Sequence, residues 1–362
     1  MEKIIDPVDK KLLKAELTPE KKLRDTNKGG NEIYVVTWHD SPNVVTEIGR
    51  LREEAFRQAG GSTGLALDLD DFDKMENPYR QIVVWDPEAE AILGGYRYIF
   101  GSDVTFLENG QPNITSTHLF HYSDDFIKHY LPHTMELGRS FVAPEYQSSK
   151  AGAKAIFSMD NLWDGITAVI LQHPSIMYLV GKMTMYPSYD ASARNLILYF
   201  LWKHFGDKEE LARPYDLIMP EGDPRIMDLI LKDDDLKADY RNLKDAVLRL
   251  GTAIPPLVNS YMNVSPTMKM FGTCLNDELA NVYETGIMVN FDDMFDDKKA
   301  RHVKSFIKEN VEKLRERFPE IEADIEERLE KKWQDRRDKV RRRWRLHLPR
   351  LRRRKEKTED KQ

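Results

Sequence analysis

A chain of 362 residues with 41% hydrophobic content can bury a core for one large domain or two modest ones. Its one cysteine, Cys274, excludes a disulfide framework and a multi-cysteine zinc site and points to a reducing compartment such as a cytosol. The start, "MEKIIDPVDKKLLKAELTPEKK", has no apolar signal core, and no run of about 18 apolar residues is present to span a bilayer. The net charge of −6 is uneven: residues 331–362 carry 16 Lys+Arg against 5 Asp+Glu, a net of +11, so the remaining body holds −17.

Residues 1–30 read as a charged, flexible arm ending in the turn signal "NKGG". "EIYVVTW" (32–38) is a strand, and "SPNVVTEIGRLREEAFRQAG" a helix that Ser41 caps, Pro42 opens and Gly60 closes. "QIVVWD" and "AILGGYRYIF" form a hairpin across "PEAE", and "TMELGRSFV" supplies a further strand. A helix from about 150 to 172 places Ile156, Met159, Leu162, Trp163, Ile166 and Ile170 on one face. "IMYLVGKMTM" (176–185) is a buried strand, and 191–205 an amphipathic helix. The stretch 206–250 is charged and mostly helical, 254–294 strand-like, and 296–344 a charged helical extension broken at Pro319. The order predicts an α/β (α+β) layer arrangement, a mixed sheet covered by helices. We expect an arm (1–30), a main domain (31–295), a helical extension (296–344) and a basic tail (345–362).

Within 341–355, nine Lys+Arg and no acid alternate with Trp344, Leu346, Leu348 and Leu351. That pattern suits an anionic membrane surface, each basic side chain contributing on the order of 1 kcal/mol there. Nucleic acid is the rival partner for the same charges, but the body carries no recognition-helix or RNA-binding signature. His118, His121, His129 and His133 crowd one segment at spacings that match no zinc motif, so no metal is assigned. The segment reads as an insertion rimming a pocket. Phe120, Tyr122 and Phe126, with Met183 and Met185, are candidates for a tunnel lining or for plain core.

Four apolar stretches carry charges that strands do not bury casually: "RLREEAF", "LDLDDFDK", "GGYRYIF" and "ELGRSFV". Their ordered pattern sets Arg52 and Phe56 in the first helix, Asp68, Asp70 and Asp73 in the next loop, Arg97 after Gly94-Gly95, and Glu136 three before Arg139. The set resembles the acyl-homoserine-lactone synthases and the ornithine-lipid, glycine-lipid and other N-acyl amino acid synthases of the GNAT acyltransferase superfamily. "IPPLVNSYMNV" is similar to a segment of the lipid-forming branch. The resemblance implies a mostly antiparallel GNAT-like sheet with a splayed strand pair. It also implies an N-acyltransferase moving a long acyl group, with or without a 3-hydroxyl, from acyl carrier protein to glycine or ornithine, giving a lyso-aminolipid. The lactone-type signal synthase is the alternative, and a non-catalytic membrane- or nucleic-acid-binding protein of the same fold the other.

An amine attacks a thioester only as the free base, so a carboxylate beside the acceptor nitrogen serves as proton acceptor. Glu136 is the candidate, with Arg97 and Arg139 organising the pocket or binding the acceptor carboxylate, and Arg52, Phe56, Asp70 and Asp73 shaping the substrate site. An apolar pocket raises the Glu136 pKa and Arg139 lowers it, so both base and ion-pair partner stand open. A charge network that merely holds the loop 60–80 over the sheet explains the same residues. By resemblance the acyl donor lies along Phe141, Val142 and Ala143 and the following helix start, where converging N–H groups receive an anion. There Gln147, Lys150, Gly152 and Ala153 follow the superfamily loop with its first glycine replaced by Lys150. That departure favours a one-phosphate donor, acyl carrier protein, over CoA. Lys150, Lys154 and Arg194 would then offer a basic docking surface. The acyl thioester is a co-substrate and no other cofactor is implied. The expected location is the cytoplasmic face of the membrane.

Overall fold

Alternating apolar and β-branched residues build eight strands of one sheet, and the computed structural model describes residues 1–147, 153–317 and 325–347. Helix α1 (Lys10–Glu16) and strand β1 (Lys22–Asp25) precede β2 (Glu32–Val36), α2 (Pro42–Ala59), the short α3 (Asp71–Lys74), β3 (Arg80–Asp86) and β4 (Ala91–Phe100). After an insertion holding β5 (Phe120–Tyr122) come β6 (Thr134–Val142), α4 (Ala153–Gln172), β7 (Tyr178–Met185) and α5 (Ala191–Phe205). Strand β8 (Ala212–Pro214), helices α6 (Pro224–Ile230), α7 (Leu236–Arg249) and α8 (Pro256–Met262), strands β9 (Lys269–Asn276) and β10 (Val282–Asn290), and helices α9 (Asp296–Arg317) and α10 (Ile325–His347) complete the described chain.

The sheet runs β1-β2-β3-β4-β6-β7-β10-β9, and β5 pairs with β8 apart from it. All of its neighbours are antiparallel except β6 and β7, which are parallel for three residue pairs, Thr134–Glu136 against Tyr178–Val180. Beyond Glu136 the two strands part. This splayed pair in a mostly antiparallel, helix-covered sheet is the architecture expected from the sequence.

Three readings change. Residues 1–30 are folded, not a loose arm: Leu13 and Leu17 are buried and β1 pairs with β2. Glu16 accepts from the N–H groups of Asn43 (3.2 Å) and Val44 (2.9 Å), so this segment caps α2. Ser41 makes no side-chain cap; its hydroxyl donates to Asp40 at 2.7 Å. "IPPLVNSYMNV" is largely helix α8, because Pro256 suits a first helical turn. The extension packs onto the body: Arg301 pairs with Asp160 (2.9 Å), His302 with Asp164 (2.6 Å) and buried Arg337 with Asp292 (2.8 Å). No described helix is long and apolar enough to cross a membrane. Residues 348–362 lie outside the described chain, as do Lys150 and Gly152.

Candidate active site

The spacing Asp70-x-x-Asp73 is first a helix start. Asp70 accepts from the Asp73 N–H (3.3 Å) and Asp73 from the Asp70 N–H (3.2 Å), a reciprocal capping box opening α3. The same carboxylates then receive cations. Arg97 on β4 donates to both Asp70 oxygens at 2.7 Å and to Asp73 at 3.0 Å. Arg52, fully buried on α2, reaches Asp73 at 3.3 Å and Gln81 at 2.5 Å. Arg139 sits 3.0 Å from Asp68. Three guanidinium groups thus meet three carboxylates, and the cluster is neutral as a whole. Burial alone would raise the Asp73 carboxyl, but Arg97 and Arg52 outweigh it and hold that carboxyl well below the usual range. Arg97 is raised above its ordinary value because Asp73 and Asp70 overcome the opposing effect of burial.

Arg139 owes its direction to a bulge. Opposite β4, Gly138 faces Arg97 and Phe141 faces Gly95, so β6 carries one residue more than its partner there. Arg139 takes φ 49°, a left-handed conformation costing on the order of 1 kcal/mol in a non-glycine residue. Gly94 is required beside it: a Cβ there would stand 2.5 Å from the Phe141 carbonyl oxygen.

Glu136 lies on the other side of this arrangement. Its carboxylate accepts from the Tyr79 hydroxyl, from the Ser116 hydroxyl and, at 3.0 Å, from the Ser116 N–H. The Tyr79 hydroxyl in turn accepts from the Thr115 N–H at 3.0 Å. Burial, then the Glu136 charge, push the Tyr79 phenol well above its ordinary pKa, so it stays a donor. Glu136 therefore ties the segment 114–117 to the sheet through neutral donors and makes no ion pair with Arg139.

A cavity of about 620 Å³ opens where β6 and β7 part. Phe56, Phe72, Ile114, Leu137, Met159 and Leu257 give it apolar wall, a volume and character suited to a ligand of drug size or larger. Leu107 (41% exposed) and Tyr215 (53%) lie on its rim, so it communicates with solvent. Of the residues expected at the site, Phe56, Asp70, Arg97, Arg139, Phe141, Val142 and Gln147 line it. Arg52, Asp73, Glu136 and Ala143 do not: they are buried behind the wall and hold it. Gln147 donates its side-chain amide to the Val142 carbonyl (2.7 Å) and so finishes β6, and α4 starts at Ala153. Phe120, Tyr122, Phe126, Met183 and Met185 are core, away from the cavity. Arg194 is buried over the Tyr283 ring, 4.0 Å from its centroid, and offers no docking charge. The histidines take separate partners: the ring nitrogens of His118 and His133 meet the carbonyls of Thr115 and Ser175, and His129 lies near Asp125.

Two charged residues on the wall had no motif to mark them. Lys182 of β7 and Glu284 of β10 both face the cavity. Glu284 is 2% exposed; its Oε1 accepts from Thr184 (3.1 Å), and among the described residues its Oε2 has no hydrogen-bond partner. Burial lowers the Lys182 pKa against the pull of Glu284 and Glu136. The readable signal was weak: a lysine inside "IMYLVGKMTM" and a glutamate inside "NVYETGIMVN", both otherwise strand cores.

A sheet split over an apolar cavity with a charged wall is a GNAT-like arrangement, and residues 51–156 match the acetyltransferase (GNAT) domain family. Over 315 residues the chain is 54% identical to the glycine N(alpha)-acyltransferase of Phocaeicola vulgatus, covering 87% of this chain and 97% of that protein. The glycine N(alpha)-acyltransferase of Bacteroides thetaiotaomicron is 54% identical over 316 residues, covering 87% and 94%. A solved CoA-dependent acyl-homoserine lactone synthase, with SAM and isopentyl-CoA, aligns over 76% of this chain and 90% of its own at 11% identity and a TM-score of 0.34. The chain belongs to the GNAT acyltransferases, in the family of these two relatives, and is an N-acyltransferase. The resemblance read from the ordered charges is borne out.

Proposed function

We propose that the protein transfers a long-chain acyl group from acyl carrier protein to the amino group of glycine, giving an N-acylglycine, a lyso-aminolipid. The observation that carries this is the cavity at the β6–β7 split, apolar toward Phe56, Ile114 and Leu257 and charged toward Arg97, Arg139, Lys182 and Glu284. The naming of both relatives for glycine supports the acceptor. The carrier-protein donor rests on the loop 147–153, where Lys150 replaces the glycine of a diphosphate cradle.

In this reading the acyl chain occupies the apolar wall, and the pantetheine arm lies in the split along Phe141 and Val142. Arg97 and Arg139 hold the acidic loop as the far wall, their charges already answered by Asp70 and Asp68. Glu136 is a positioning residue: it fixes Ser116, and with it the flanking wall residues Thr115 and Thr117. The basic stretch 341–355 would keep the enzyme beside its amphiphilic product at an anionic bilayer.

The test is mass spectrometry of products from purified protein given hexadecanoyl-acyl carrier protein or hexadecanoyl-CoA with glycine, ornithine or S-adenosylmethionine. N-hexadecanoylglycine formed from the carrier-protein donor is the expected result. A lactone, or no acylated amine from any combination, contradicts the reading.

A further inference from the structure

We propose that Lys182 and Glu284 form the acceptor subsite, Glu284 taking the ammonium and then a proton, Lys182 taking the carboxylate, of a small α-amino acid. This rests on the N-acyl transfer to an amino acid proposed above and adds residues outside the matched domain, which ends at residue 156.

Register brings the two together. In the antiparallel β7–β10 pair, Lys182 faces Gly286 and Thr184 faces Glu284, so Lys182 and Glu284 are diagonal neighbours on one face. Such neighbours lie roughly 7–8 Å apart at the backbone, within reach of long side chains. They make no ion pair with one another, and among the described residues the Lys182 ammonium has no hydrogen-bond or ion-pair partner. Gly286 leaves the place opposite Lys182 to the Phe120 ring, 2.7 Å from where a Cβ would stand.

The other buried charges at the cavity have charged partners, and Glu278 reaches solvent. Asp70 and Arg97 bind each other, Arg139 faces Asp68, and Glu278 lies 3.6 Å from His118 at the rim. A buried carboxylate oxygen without a donor is costly unless a ligand supplies one. A zwitterion supplies both missing partners at once: its ammonium to Glu284 Oε2, its carboxylate to Lys182. Arg97 and Arg139 would have to release aspartates to do the same. Cys274 of β9, paired with Glu284, does not line the cavity, and burial, then Glu284, push its thiol up to about 12, away from the thiolate form.

The step balances without a further reactant. Glu284 accepts one proton from the ammonium. The freed nitrogen pair forms the C–N bond at the thioester carbonyl, and the C–S pair leaves on sulfur. A second N–H proton passes to that thiolate, and protonated Glu284 returns its proton to water as amide and thiol depart.

The test is steady-state kinetics of the full chain with hexadecanoyl-acyl carrier protein and glycine, beside thermal unfolding of each variant. K182M should raise the KM for glycine at least 30-fold while the donor KM moves less than threefold. E284Q should lower kcat at least 100-fold, with Tm held. Should E284Q fail to fold, E284D, which sets the carboxylate back by one methylene, should lower kcat at least tenfold. Variants within threefold of wild type in both kcat and glycine KM overturn the subsite while wild type still makes N-acylglycine. Wild type that acylates no amino acid removes the underlying reading instead, a separate result.

Discussion

The two walls of the split use charge in opposite ways. On the β4–β6 side, Arg52, Arg97 and Arg139 meet Asp68, Asp70 and Asp73 in a neutral, largely buried cluster of ion pairs. On the β7–β10 side, Lys182 and Glu284 face the same cavity, and among the described residues the Lys182 ammonium and Glu284 Oε2 have no hydrogen-bond partner. Charges already answered build a wall, because moving any one strands its neighbours. Charges left open are where a ligand gains most. The ordered charges that carry the family resemblance therefore lie mostly on the paired wall, and the acceptor chemistry we propose falls on residues that no motif marks.

Substitutions can break this comparison from either wall. The largest stability loss is expected from Asp73→Asn, which leaves Arg52 and Arg97 one carboxylate short; removing one partner of a buried pair costs about 3–5 kcal/mol. Denaturant unfolding should show it. Glu136→Gln weakens bonds from Tyr79 and Ser116 to a charged acceptor, for a loss of about 1.5–3 kcal/mol, while kcat of the folded fraction stays within tenfold. Gly94→Ala presses a Cβ onto the Phe141 carbonyl and should cost about 1–3 kcal/mol, with the donor KM rising as β6 shifts. Acid offers a smaller lever on the same wall. The Asp73 carboxyl is depressed on folding, so its contribution is complete above about pH 4 and lost as pH falls below that toward its folded value. The Asp73→Asn protein should lose less stability than wild type over that acid range. Least of all, Glu284→Gln should leave unfolding within about 0.5 kcal/mol of wild type, since it removes a half-partnered buried charge.

The sequence was most legible where one period ran uninterrupted. The strand 134–142, the hairpin around residues 87–90 and the helix 191–205 stand where the alternation and the caps put them. It was least legible where a distant residue decides. Glu16 supplying the cap of α2 cannot be read from Ser41 and Pro42 alone, and "IPPLVNSYMNV" is apolar enough for either period. The ordered charges marked the right region but not its depth: Arg52 and Asp73 look like Arg97 and Asp70 in sequence, and only their bonds to each other, to Gln81 of β3 and to Arg97 of β4 set the first pair behind the wall. Glu136 was open between base and ion-pair partner, and its actual partners, Tyr79 and Ser116, come from segments whose meeting no local pattern predicts. Lys182 and Glu284 were hidden because single charges in apolar strands look like edge residues until the split exposes them.

The most direct measurement sets Glu136→Gln beside Glu284→Gln, reading the single-turnover rate of N-acylglycine formation on pre-bound hexadecanoyl-acyl carrier protein together with the unfolding midpoint of each protein. The account predicts that Glu136→Gln unfolds early yet reacts within tenfold of wild type, and that Glu284→Gln unfolds like wild type yet reacts at least 100-fold more slowly. The opposite pattern, a stable but inactive Glu136→Gln and a fully active Glu284→Gln, would contradict it.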